Sequence, residues 1–137
     1  MAQMPQEVID FIEDPHSRNV LSTITSDGSL FSGVRGRLRV IDEETIAFFD
    51  VAQVKRKPDF KPGQKVAYVV LNPPSFGYQI YGTFREYRTS GEIFEDQAKM
   101  MKQGPHSNIL EKMGIVKVEE IYSYASKDRT EHGMRIA

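Results

Sequence analysis

Lys55-Arg56-Lys57, with Lys61 close behind and only Asp59 to offset them, gather positive charge just after a strand-like run. Lysine and arginine hold phosphate oxygens through charge-assisted hydrogen bonds, so a cationic knot at a strand end is suited to a phosphate-bearing ligand. The competing reading is a solvated surface run, and Lys57, just before Pro58, is assigned to it. A second set of cations, Arg35, Arg37 and Arg39, alternates along one run and so shares a face of any unbroken strand. A solvent-facing stripe is the plain explanation and is favoured for Arg39; for Arg35 and Arg37 a functional cation is equally open. His16, His106 and His132 are too scattered for a metal motif, and His16 is too close in sequence to Asp14 and Ser17 for a catalytic triad. No glycine-rich phosphate loop, dinucleotide fingerprint or zinc pattern occurs.

The elements that must position these residues are mostly strands. Runs at 19–26, 29–41 and 45–51 are rich in β-branched residues and are broken at Asp27-Gly28 and at Asp42-Glu43-Glu44. Asp27-Gly28 is a hairpin signal because both residues tolerate positive φ. The unbroken apolar stretch Thr45-Ile46-Ala47-Phe48-Phe49 predicts a strand buried on both faces. Pro58 and Pro62-Gly63 restrict any helix in the cationic segment to about one turn. Further strands are expected at 65–72, 77–88 and 115–124, with Gly82 marking a bulge or a close backbone approach. Val8, Phe11 and Ile12 repeat at helical spacing, and Thr89 with Glu92 opens a second helix in which Phe94, Ala98 and Met101 share a face. Residues 127–137 read as a polar tail prone to fraying.

Six strands joined by short links, with only peripheral helices, predict a mainly β domain, a six-stranded antiparallel barrel. The chain has 137 residues, enough for one domain and one core. A net charge of −1 gives no overall drive toward nucleic acid or an anionic membrane. The absence of cysteine excludes disulfides, thiolate metal sites and cysteine nucleophiles. No apolar run approaches the roughly 20 residues that span a bilayer, and residues 1–6 lack signal-peptide character, so a cytoplasmic protein is expected.

The order of these segments resembles the FMN-binding split barrels related to pyridoxamine 5′-phosphate oxidase. The likeness runs over about residues 7–124 and is carried by four segments. These are Leu21-Ser22-Thr23-Ile24-Thr25 with Asp27-Gly28; Leu38-Arg39-Val40-Ile41-Asp42 leading into 45–49; Lys55, eleven residues before Val66; and Ile80-Tyr81-Gly82-Thr83. The resemblance implies a homodimer with FMN at the subunit interface. Ser32, Gly33, Val34, Arg35, Gly36 and Arg37 would run along the flavin ring. Asp50, Val51 and Ala52 would border the ribityl chain, Lys55 and its neighbour Arg56 would meet the phosphate, and Tyr81 is a candidate flavin neighbour. The oxidases proper end in a tryptophan and paired arginines; this chain has no tryptophan, and Arg129 and Arg135 do not reproduce that ending. The fold transfers; the substrate does not.

The expected function is therefore a small flavin-dependent oxidoreductase with a small-molecule or protein redox partner and no acid or base of its own. The alternatives are a non-catalytic flavin or electron-transfer protein, or the same barrel holding a deazaflavin or haem. Lys55→Ala is expected to weaken FMN binding and leave the fold intact; an unchanged affinity in a flavin fluorescence titration would remove Lys55 from the site.

Overall fold

A computed structural model describes residues 3–52, 54, 57–72, 76–103, 109–124 and 133–137. Helix α1 spans Gln6–Glu13, and strands β1 to β4 span Arg18–Ile24, Leu30–Arg35, Arg39–Asp42 and Thr45–Val51. Strands β5 and β6 span Lys65–Asn72 and Phe76–Arg88, helix α2 Glu92–Gln103, and strand β7 Leu110–Tyr124. All strand pairs are antiparallel, in the order β2-β1-β5-β6-β7-β4-β3.

This order bends the sheet into a barrel. Strands β2 and β3 are its two outer members, yet only Gly36, Arg37 and Leu38 separate them. A link that short spans about 14 Å at most, so the two edges must face one another. The chain itself closes the barrel there, and the gap between the edges is its split. The sequence expects one strand over 29–41 and six strands in all; the described residues form seven, because the run breaks at residues 36–38. Leu38 turns into the core, 3% exposed, where a continuing strand would have carried the chain past β4.

The barrel interior is filled by alternate residues of each strand, among them Leu21, Ile46, Phe48, Tyr68, Val70, Ile80, Phe84, Val116, Val118 and Ile121. Helix α1 plugs one end with Val8, Phe11 and Ile12, the three residues whose spacing predicts it. Phe48 packs against Phe60, Phe84 and Tyr87, with ring centroids 5.0, 6.1 and 6.3 Å away. On the opposite face of β4, Ala47 and Phe49 join Met113 and Ile115 in a second cluster, covered by Ile93, Phe94 and Met101 of α2. Strand β4 is thus buried on both faces, as its apolar run requires.

Gly82 serves both purposes expected of it: the β6–β7 register shifts between Tyr81 and Gly82, and a Cβ there would collide with the backbone of Lys117. At the β1–β2 hairpin, Gly28 has φ 85°, and Asp27 accepts hydrogen bonds from the Thr25 hydroxyl and the Ser29 amide, which lower its pKa to about 2. Residues 133–137 are not frayed. They lie along the C-terminal end of β7, where Ser123 N–H donates to Met134 O (2.8 Å) and Ile136 N–H to Ile121 O (2.7 Å). Unpaired backbone at the strand edge outweighs the tail's polar composition.

Gly114 sits where a Cβ would enter the ring of the fully buried Phe48. Gly114→Ala is therefore expected to cost about 1–3 kcal/mol, the usual range for overpacking a core. Urea unfolding of the variant checks this, and a stability equal to that of the parent would show that the Phe48 ring has room to move.

Candidate functional site

The split exposes the part of β4 that β3 does not reach. Strand β3 pairs only with Thr45, Ile46 and Ala47, leaving the Phe48–Val51 end of β4 open toward the end of β2. Residues 34–37 on one side and 49–51 on the other, with Val54, Lys57 and Met101, line a groove of about 230 Å³ here. Residues 34–37 and 50–51 of the two segments expected to flank a cofactor thus converge on one groove, which Ser32, Gly33 and Ala52 do not line.

Arg35 spans this split. Its Nη2 donates to the Asp50 carboxylate and to Phe49 O, the latter at 3.2 Å, and its guanidinium carbon lies 5.2 Å from the centre of the Phe48 ring. Both side chains are buried, 8% exposed for Arg35 and 1% for Asp50. Burying one of these charges without the other would be prohibitive, so the pair holds β2 to β4 where no backbone ladder does. Tyr68 lies within their field; burial pushes its phenol pKa well up, and its hydroxyl has no hydrogen-bond partner, like Asp50 Oδ2. Burial also raises Tyr87, to about 12, although its oxygen accepts the Phe60 amide at 3.0 Å. That bond ties the segment after the cationic knot to the barrel.

The other arginines have separate tasks. Arg37 Nη2 donates to Glu13 O at the end of α1. Arg39 is not a solvent-facing stripe residue: its Nε donates to both Glu13 oxygens at 3.1 and 3.0 Å and its Nη1 to Asp96 at 3.1 Å. Lys57, assigned to surface from sequence, donates to Val51 O and to Glu111, each at 2.7 Å, and so fixes the end of β4. These partners lie 6 to 57 residues away in the chain, and spacing alone cannot reveal them.

The remaining candidates fall on a neighbouring surface. Ser32 and Tyr81 line a depression of about 370 Å³ on the outer face of β2-β1-β5-β6, together with Ser22, Ile24, Leu30 and Ala67. Tyr81 meets Tyr122 edge-on, with centroids 5.9 Å apart. This face is apolar and open: Leu30 is 80% exposed, Val34 74% and Ile24 60%. Gly33 packs over Phe31, nothing stands near a Cβ position on Gly36, and Ala52 N–H bonds Ile109 O at 2.9 Å. Lys55 and Arg56 lie outside the described residues. His16 is exposed beside Asp14, while the Ser17 hydroxyl donates to Phe11 O, so no triad forms. Among the described residues no cluster of His, Cys, Asp and Glu could hold a metal, and no helix is long and apolar enough to cross a membrane.

No protein-family model matches this sequence, and no curated protein matches it. Solved structures do. An FMN-binding protein from Syntrophomonas wolfei superposes with a TM-score of 0.71 at 18% identity, over 88% of this chain and 86% of that one. HupZ from Group A Streptococcus gives 0.66 at 20%, over 95% of this chain and 98% of that one, and an F420 reductase gives 0.60 at 16%, over 86% and 98%. The chain has the split-barrel fold of the pyridoxamine 5′-phosphate oxidase type, and the resemblance read from its sequence holds at the level of fold.

Asp50→Ala would leave Arg35 buried without its counter-charge and is expected to cost about 3–5 kcal/mol. Combining it with Arg35→Met should recover most of that loss. Chemical denaturation of the three proteins checks this, and additive losses would show that the two residues act independently.

Proposed function

We propose that this protein binds FMN in the split groove and works as a small flavin-dependent oxidoreductase, as a homodimer in the cytoplasm. The observation that carries the reading is the convergence of residues 34–37 with 49–51 on one groove, at the edge of an exposed apolar face. The residues present suit such a cofactor. The open space over Gly36 admits a flat ring against the backbone. The β2 edge toward the split presents backbone N–H and C=O groups to a ring edge that carries both donors and acceptors. Lys55 and Arg56 follow the β4 end and would meet the phosphate.

When bound, the flavin would supply two-electron transfer at its ring. The protein's own part is to bind and orient. Arg35 is held by Asp50, Lys57 by Glu111 and Arg37 by the end of α1, so the groove walls are fixed by the same contacts that close the barrel. None of the groove's charged side chains is placed as an acid or base, in keeping with chemistry supplied by the cofactor and a small-molecule or protein redox partner.

The face bearing Ile24, Leu30 and Val34 extends from the groove toward Tyr81. An apolar strip this open on a sheet calls for a partner, and a second copy laid against it would also wall the groove from the other side.

Two measurements test the reading. The absorbance spectrum of the purified protein, with FMN titration of the stripped form, should show flavin bands and about one FMN per chain. A protein that ignores FMN at saturation would overturn it. A single deazaflavin band would favour the second reading, which rests on the fold shared with the F420 reductase. Light scattering should give about 31 kDa, twice the 15.6 kDa chain, falling to monomer for Leu30→Asp; a monomeric parent protein would remove the composite site.

A further inference from the structure

A second cavity, of about 340 Å³, lies on the other side of the β2 end from the groove and shares residues 34–37 with it. Its remaining wall comes from α1 and the start of β1, including Ile12, Ser17, Arg18 and Asn19. Three arginines line it, and no carboxylate does. Arg35 is neutralised by Asp50, but the other two are not fully matched. Arg37 uses Nη2 on a backbone carbonyl; the Glu13 carboxylate stands 3.9 Å off, because both of its oxygens accept from Arg39. Arg37 Nε is buried with no hydrogen-bond partner. Arg18 donates only to the carbonyls of His16 and Ser17, at 3.3 and 3.4 Å, and among the described residues its guanidinium pairs with no acid.

Asn19 adds a second, independent feature. The residue is 3% exposed, and its Nδ2 is fixed on Gly36 O at 2.9 Å. That bond sets the amide's orientation and leaves Oδ1 buried without a donor. The wall of the cavity therefore carries two cationic side chains and an amide whose oxygen, like Arg37 Nε, is buried and unsatisfied. Arginine donors select a carboxylate or phosphate, while an unpaired amide oxygen selects a hydroxyl or amine beside it.

We propose that this cavity is the substrate's anion subsite, taking the carboxylate or phosphate end of a substrate that carries a hydroxyl or amine beside the anion. This rests on the flavin reading: the anion would be anchored beyond residues 34–37, and the rest of the substrate would have to pass them to reach the cofactor in the groove. Arg18 and Arg37 hold the anion and Asn19 accepts from the neighbouring group.

The test is an NMR titration of ¹⁵N-labelled, FMN-saturated protein with inorganic phosphate, glycolate and acetate, following the Asn19 side-chain amide and the Gly36 backbone amide. Both signals should move with phosphate and glycolate, and glycolate should bind severalfold tighter than acetate because only it has the hydroxyl. Arg18→Gln, an exposed residue bonded only to backbone carbonyls, should weaken phosphate about tenfold while FMN affinity stays within about twofold. Arg37→Lys, which keeps the charge but loses Nε, should also weaken it. Signals that stay still, or an Arg18→Gln variant with unchanged phosphate affinity, would overturn the subsite. Phosphate that competes with FMN, together with FMN weakened in Arg18→Gln, would overturn it too by giving the cavity to the cofactor's phosphate. Should the protein bind no FMN, the same titration without it still decides the anion site: loss in the variants supports the site, and the flavin reading alone falls.

Discussion

A charge taken out of water must find its opposite, and here that requirement joins two strands that no ladder connects. Arg35 and Asp50 sit at the ends of β2 and β4, on either side of the split, and neither is hydrated enough to stand alone. Their pairing sets how far the split can open. Because Arg35 also caps the Phe48 carbonyl's neighbour, Phe49 O, and lies over the Phe48 ring, the pair links the barrel's closure to its aromatic core. The groove is as rigid as this contact.

Strand β4 carries that rigidity outward. Its inner residues pack in the barrel and its outer ones under α2, so it cannot shift without disturbing two cores. Lys57 then fastens its end, through Val51 O and Glu111, immediately beside the cationic segment. The groove's walls are thereby preformed, so a ligand there would cost little rearrangement.

Much of the fold was legible because its signals are local. Val8, Phe11 and Ile12 announce α1, Asp27-Gly28 the first hairpin, and the run through Phe48 and Phe49 a strand buried on both faces. The break after β2 was not legible: a single glycine within the alternating run from Val34 to Val40 is compatible with a continuing strand, and only the meeting of the two sheet edges forces the turn. That break also undid the expectation of three arginines on one face. Partner choice lay further out of reach. Arg35 finds Asp50 and Arg39 finds Glu13 across the barrel, at separations of 15 and 26 residues. Asn19 reads in sequence as the first residue of a strand; nothing local marks its amide as buried. Of the polar tail expected at 127–137, residues 127–132 lie outside the described residues; composition speaks for side chains, whereas the bonds that hold 133–137 are made by the backbone.

That tail governs how copies of the chain can meet. By lying along Ile121, Tyr122 and Ser123 it occupies backbone donors and acceptors at the end of β7 that would otherwise be open to a strand from another molecule. At the opposite ends of the sheet, β2 and β3 turn their edges toward each other. In the proposed dimer, association would fall to the apolar face, where side chains would make the contact and a two-fold pairing would use up the surface. The proposed assembly would be self-limiting, since two chains would complete it.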